Sequence, residues 1–320
     1  MAETALVYGY QLSGDDKGKA ISLSTRLDRS ECYWIHLDYS VAETRSWLEA
    51  HDEIDDIVES FLLSEDPRPR ATLHRDGIMV SLRGINFSDD SAPEDMVTIR
   101  LWITENTVVS TRRRRLLSAA ALADLIANGQ GPESPAELIC EIAEKLLSRM
   151  RETLSDLLDD IDEIEEQYAE GDAKTLRDQL GDCRRKTIVF KRYLSPQRDA
   201  LKSLFELSKG RFTPEESERI REQVEVVSRY VEDLDAARDR AAVMSEQIVG
   251  RLSDELNRRM YALSIVAAVF LPLGFLTGLL GINVAGLPGA DSEWAFIIVC
   301  AGLSVIVALQ IWLFKKRGWF

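Results

Sequence analysis

Histidine is scarce and cysteine scattered, with three of the first and four of the second in 320 residues. Cys32, Cys140, Cys183 and Cys300 form no C-x-x-C pair and have no histidine at ligand spacing, which excludes a zinc-finger or thioredoxin-like centre. They read as small apolar residues, or as free thiols in a reducing compartment. His36, His51 and His74 fit no single zinc site either. An excess of positive charge is also missing. Lys and Arg number 39 against 54 Asp and Glu, a net charge of −15, which leaves no surplus cation to displace counterions from a nucleic acid. Such acidity keeps a large domain soluble and attracts cations. No basic stretch leads into an apolar core at the N-terminus, so no signal peptide is expected. Nucleotide motifs are absent as well. Gly18-Lys19-Ala20 comes near a phosphate loop, but Ser13 stands where that loop needs glycine and Ala20 where it needs Ser or Thr.

Against these absences stand two long apolar runs, residues 260–280 and 294–314, neither with Asp, Glu, Lys, Arg or His. Each is long enough to cross roughly 30 Å of hydrocarbon at about 1.5 Å per residue. Arg258 and Arg259 precede the first run, Lys315, Lys316 and Arg317 follow the second, and the loop 281–293 has no Lys or Arg. The excess of basic residues on the cytoplasmic side predicts both termini in the cytoplasm and the short loop outside. Trp294, Trp312 and Trp319 fall near the expected interfaces.

The rest of the chain predicts an α+β cytoplasmic domain joined to a long stalk helix and two C-terminal transmembrane helices. Residues 33–37, 78–82, 97–103 and 107–110 are β-rich and partly alternating, while 42–50 and 53–63 carry helix formers. The breaker cluster at 128–132 marks a boundary, giving a funnel domain at 1–131, a helical hairpin and stalk at 132–258, and the membrane hairpin at 259–320. From Ser134 onward the pattern is helical, with a stripe Leu154, Leu157, Leu158, Ile161, Ile164 and Tyr168 that stops at Gly171-Asp172. A second helix spans 173–208. Thr213-Pro214-Glu215-Glu216 then has the cap-plus-proline form of a helix start, and nothing interrupts the apolar series from Ile220 into Met260. One helix of about 100 Å is expected.

Two charged segments have bland readings. The acids between Asp156 and Asp172 keep helical apolar spacing, so a solvated helix face fits better than a calcium loop, which needs a glycine break. Arg112 to Arg115 read as a surface turn pairing with the acidic helices. On the stalk, Glu246, Gly250, Ser253, Asn257, Ser264, Ala268, Leu271 and Phe275 lie within about 40° of one helical face. That face runs from polar to small and apolar, as a constriction closed by dewetting would, although a lipid-facing or packing stripe looks similar.

Two helices cannot enclose water, so conduction needs several copies around an axis. At the outer end Gly281 lets the helix stop, and Asn283 can offer an amide oxygen to the water shell of a divalent ion. Asp291 and Glu293 would add a negative entrance; a plain extracellular turn would also use Asn, Gly and Pro.

Asn257, Phe270-Leu271-Pro272, Phe275-Leu276-Thr277-Gly278, Gly281-Ile282-Asn283 and Gly286-Leu287-Pro288-Gly289 together resemble the CorA superfamily of divalent-cation transporters, and within it the ZntB zinc-transporter branch. Ser110-Thr111-Arg112, Arg192-Tyr193 and Ser195-Pro196-Gln197-Arg198-Asp199 resemble that branch too. The resemblance implies a homopentamer in a bacterial inner membrane, with a cytoplasmic α/β funnel and a stalk helix that becomes the pore-lining span. It implies a selectivity loop of Gly281, Ile282 and Asn283, with Asn283 meeting the hydrated metal ion. It implies a pore lined by Asn257, Met260, Leu263 and Leu271, Glu246 at the cytoplasmic mouth, and Asp291 with Glu293 outside. No tightly bound cofactor is implied, only transported Zn2+ and other divalent cations, with zinc taken up together with protons. Where the magnesium branch has Gly-Met-Asn, this chain has Ile282 in the middle, which counts against magnesium as the main substrate; zinc is favoured by the similarity to the ZntB branch. A magnesium or cobalt channel is the alternative within the class, and a membrane-anchored coiled-coil scaffold, with no transport and no enzymatic activity, the alternative outside it.

Overall fold

A computed structural model describes residues 5–65, 68–86, 95–168, 171–281 and 293–317. The chain divides into two compact units, the first ending at Ser245 and the second beginning at Glu246. The first is built on a sheet formed by β1 (Leu6–Gln11), β2 (Tyr33–Asp38), β3 (Arg70–His74), β4 (Gly77–Gly84), β5 (Val97–Ile103) and β6 (Thr107–Arg112). The spatial order is β1-β2-β6-β5-β4-β3. All neighbours are antiparallel except β2 and β6, which pair in parallel with Ile35 opposite Val109.

Side chains alternate across a pleated strand, and the register therefore sorts this sheet into two faces. Ile35, Leu37, Met79, Trp102 and Val109 share one of them. They form a core with Leu48 of α1 (Ala42–Glu49) and Val58, Phe61 and Leu62 of α2 (Asp56–Leu62). Asp55 caps α2 by accepting from the backbone N–H groups of Ile57 and Val58. The opposite face packs on α3 (Leu117–Ala127) and α4 (Pro135–Gln167). Helix α4 approaches so closely that a Cβ on Gly84 would lie 2.6 Å from Leu146 Cδ2. Helix α5 (Ala173–Ser208) lies against β3 and β4, and the buried Gln197 amide accepts from the Arg83 backbone N–H at 2.7 Å.

The expected helices are present. Ser134 caps α4, Asp172 caps α5, and Thr213 with Glu216 forms a reciprocal capping box at the start of α6 (Pro214–Leu280). Leu154, Leu157, Ile161 and Ile164 are buried on α4, as are Leu176, Leu180 and Cys183 on α5. The acidic face of α4 is exposed, as expected, and carries surface ion pairs: Arg240 of α6 binds Asp162 at 2.5 Å and also pairs with Glu165, and Lys186 reaches Asp160 at 3.8 Å. Arg219 grips Glu144 with two hydrogen bonds of 2.8 and 3.0 Å. These basic residues, not Arg112–Arg115, engage the acidic helix. Arg112 ends β6, and among the described residues Arg113, Arg114 and Arg115 are exposed and make no ion pair.

On the α3–α4 side of the sheet, His36 is fully buried, stacked on Tyr8 at 5.6 Å, with Nδ1 at 2.7 Å from Ser110 Oγ. Burial first, and the nearby Arg112 second, lower its pKa from 6.5 to about 3. Below about pH 6.5 the unfolded chain takes up a proton that the folded chain refuses. Stability is therefore complete above that pH and falls as pH drops toward 3, by up to about 1.4 kcal/mol per pH unit. We expect His36→Gln to remove one proton's worth of this slope between about pH 4 and 6, measured by denaturant unfolding of the full chain. An unchanged slope would mean that folded His36 titrates normally.

Candidate functional site

The second unit holds the C-terminal part of α6 and α7 (Ala295–Lys316). Both helices are long and apolar enough to cross a membrane, and their apolar windows are not buried within the chain. In hydrocarbon each backbone N–H and C=O must find a partner inside the protein, which a helix supplies residue by residue. Hydroxyls follow the same rule: Thr277 Oγ1 bonds the Leu273 carbonyl at 2.9 Å and Ser304 Oγ the Cys300 carbonyl at 2.8 Å.

Pro272 breaks the ladder. It lacks the N–H that would bond the Ala268 carbonyl one turn earlier. The amide of Gln310, from α7, supplies a donor in its place, with Nε2 at 3.5 Å from that carbonyl. Half-buried residues extend this contact into a seam. On α6 they are Ile265, Ala268, Val269, Pro272, Leu273 and Leu276; on α7 they include Val299, Leu303, Ile306 and Gln310. Both sets recur at helical spacing. Gln310 was not singled out from the sequence, where a lone amide in an apolar run reads as filler until Pro272 is placed beside it.

The proposed pore-lining residues lie elsewhere on α6. Asn257 is exposed, and Met260, Leu263 and Leu271 are 67%, 70% and 73% exposed. At about 100° per residue their mean direction is roughly 150° around the helix from the seam. Helix α7 therefore leaves this face uncovered. A Cβ built on Gly274 or Gly278 likewise meets nothing within 4 Å. Ala268, placed on the candidate face by spacing alone, stands at the border of the seam.

Glu246, at the start of the unit, and Glu293, before α7, are exposed. Helix α6 ends at Leu280, and the Gly281 N–H bonds the Thr277 carbonyl at 2.9 Å. Ile282, Asn283 and Asp291 lie outside the described residues. Among the described residues no three His, Cys, Asp or Glu side chains cluster as metal ligands. At the C-terminal end of α7, Lys316 Nζ sits 5.2 Å from the centre of the Trp312 ring, as a snorkelling interfacial lysine does.

Residues 29–316 match the family described as CorA-like Mg2+ transporter protein. The zinc transport protein ZntB of Yersinia pseudotuberculosis serotype O:1b (strain IP 31758) is 36% identical over 313 residues, 98% of this chain and 95% of that protein. The divalent cation transporter CmaX of Pseudomonas aeruginosa is 33% identical over 324 residues, covering 99% and 97%. A solved structure of full-length CmaX superposes with a TM-score of 0.84 at 32% identity, covering 99% of this chain and 98% of that one.

The Pro272–Gln310 contact is open to a double-mutant cycle. Gln310→Leu should cost about 0.6–1.7 kcal/mol, the range of interhelical hydrogen bonds in membranes. In a Pro272→Ala background, where the intrahelical bond is restored, the same change should cost close to nothing. Unfolding in detergent measures both, and an equal cost in the two backgrounds would sink the assignment.

Proposed function

The chain belongs to the CorA-like family of transporter proteins, and from that membership we propose that it carries divalent cations, zinc foremost, across a bacterial inner membrane as a homopentamer. The observation that carries this reading is the apolar face of α6 left bare by α7, which runs toward the Gly281-Ile282-Asn283 loop. Lipid could cover such a face, but the Asn257-to-Leu271 row suits a constriction closed by dewetting when copies surround an axis. Asn283 then presents a ring of amide oxygens to the hydrated ion, Glu246 draws it at the cytoplasmic mouth, and Asp291 with Glu293 draw it outside. The zinc preference rests on the similarity to ZntB; Ile282 counts only against magnesium. Without Cys or His along this path, the ion passes hydrated and is not held in a tight zinc site.

The basic residues at 258, 259 and 315–317 favour cytoplasmic termini. A negative interior favours entry of a divalent ion by about 2 × 2.3 kcal/mol per 100 mV, so uptake needs no nucleotide. Protons travelling with zinc would use groups outside the two spans, which hold no Asp, Glu, Lys, Arg or His.

Two measurements test this. Proteoliposomes loaded with a zinc-sensitive dye should take up zinc, magnesium should compete weakly, and Asn283→Ala should slow uptake roughly tenfold, the equivalent of ~1.4 kcal/mol. Equal zinc leak in vesicles with and without protein would instead favour the scaffold. In a chain with its four native cysteines replaced by serine, cysteines at Met260, Leu263 and Leu271 should react with a water-soluble thiosulfonate, and those at Ile265, Val269 and Leu276 should not. The reverse pattern would assign the bare face to lipid.

A further inference from the structure

The seam between α6 and α7 does not end on apolar residues. The chain reverses between the two helices, and Gln310 of α7 stands beside Ala268 of α6. Seven residues further along α7 is Arg317, level with Tyr261, and Arg258 lies three residues beyond that on α6, a rise of about 4.5 Å. At about 100° per residue, Arg258 and Arg317 each fall within roughly 20° of the mean direction of the half-buried residues on their own helix. Two guanidiniums therefore stand on the facing sides of neighbouring helices, where the apolar pairs stop. Both are exposed, and neither makes an ion pair among the described residues. Lys316, held over Trp312, adds a cation at the same level. Glu255 is shared by Arg251 at 3.5 Å and Arg259 at 3.9 Å, and the exposed Asp254 lies a turn further out on α6. Residues 256–290 and 294–320 contain no Asp or Glu.

We propose that the phosphate of an anionic phospholipid lies between Arg258 and Arg317, so that a lipid headgroup closes this end of the α6–α7 hairpin. The placement rests on the reading that both helices cross a membrane. Like charges facing each other across a helix contact repel, and an anion between them turns that repulsion into two attractions. Basic side chains just past an apolar span lie at headgroup depth, and basic pockets between spans are where anionic headgroups bind. Guanidinium is also the group whose planar fork bonds two phosphate oxygens at once. The phosphate of phosphatidylcholine is balanced by its own choline, whereas that of phosphatidylglycerol has no cation of its own. The exposed Leu309 and Trp312, one to two turns into the apolar run, offer the acyl chains a surface that free phosphate would not use.

Native mass spectrometry of the full chain, titrated in detergent with dioleoylphosphatidylglycerol or dioleoylphosphatidylcholine, tests it. The glycerol lipid should bind roughly thirtyfold tighter, the effect of two basic side chains near an anionic surface. Arg258→Gln/Arg317→Gln should bring the ratio of the two affinities close to one. Lys315→Gln removes a charge that points roughly 140° away from the seam, and should leave most of the preference in place. A wild-type ratio near one, an undiminished ratio in the double variant, or an equal loss in Lys315→Gln would overturn the site. Displacement of the glycerol lipid by inorganic phosphate at fixed ionic strength would make free phosphate the occupant and overturn the lipid. Insertion into phosphatidylcholine vesicles is scored separately. A chain that inserts but shows no headgroup preference overturns the lipid site alone, and one that fails to insert overturns the two spans with it.

Discussion

A membrane allows no unpartnered backbone polar group, and that constraint shapes the whole second unit. Two runs without ionisable carboxylates, amines or imidazoles must be helices there, and at Pro272, where the helix cannot satisfy itself, a side chain from the neighbour does so. The Gln310 amide is thus best understood as part of the backbone ladder. It also ties α7 to one side of α6, and by doing so leaves the other side bare. Which face of α6 stays uncovered therefore goes with where one carbonyl lost its partner.

The first unit meets a different constraint. Its sheet has helices on both faces, so nearly every side chain of β4 and β5 is buried, including two arginines. A guanidinium removed from water needs compensation. Here it comes in part from the ring faces of Tyr193 and Tyr39 and from oxygen acceptors, with Arg100 Nε at 3.4 Å from Ser64 Oγ and Arg83 Nη1 at 3.4 Å from the Met96 carbonyl. Elsewhere the same unit uses charge on its outside, as in the Arg219–Glu144 and Arg240–Asp162 pairs between α6 and α4. Those half-exposed pairs fix which helix faces meet more than they stabilise.

Much of this could be read from residues in a row. The caps at Ser134, Asp172 and Thr213, the stripe on α4, and the inner strands all declare themselves through local chemistry. Strands β1 and β3 did not. They are edge strands whose residues are mostly half-buried or exposed, so neither shows the alternation that burial on one face imposes. The tetrad at Arg112 attracted notice for its charge, yet its expected partners on α4 are taken by Arg240 and Lys186. Arg100, inside Val-Thr-Ile-Arg-Leu-Trp-Ile, reads as one polar residue in a strand, and nothing nearby in sequence announces Arg83 as its diagonal neighbour across β4 and β5.

Sequence alone determined what depends on composition and short spacing: two spans, their flanking charges, a long helix from Pro214, an α+β domain before it, and the motif at Gly281 that resembles a transporter family. Tertiary structure decided what depends on which residues become neighbours. It set the face of α6 that α7 covers, the partner of the Ala268 carbonyl, and the meeting of Arg83 with Arg100. The physical reason is range. Helix propensity, capping and hydropathy act over a few residues, whereas strand register and helix packing join residues tens of positions apart.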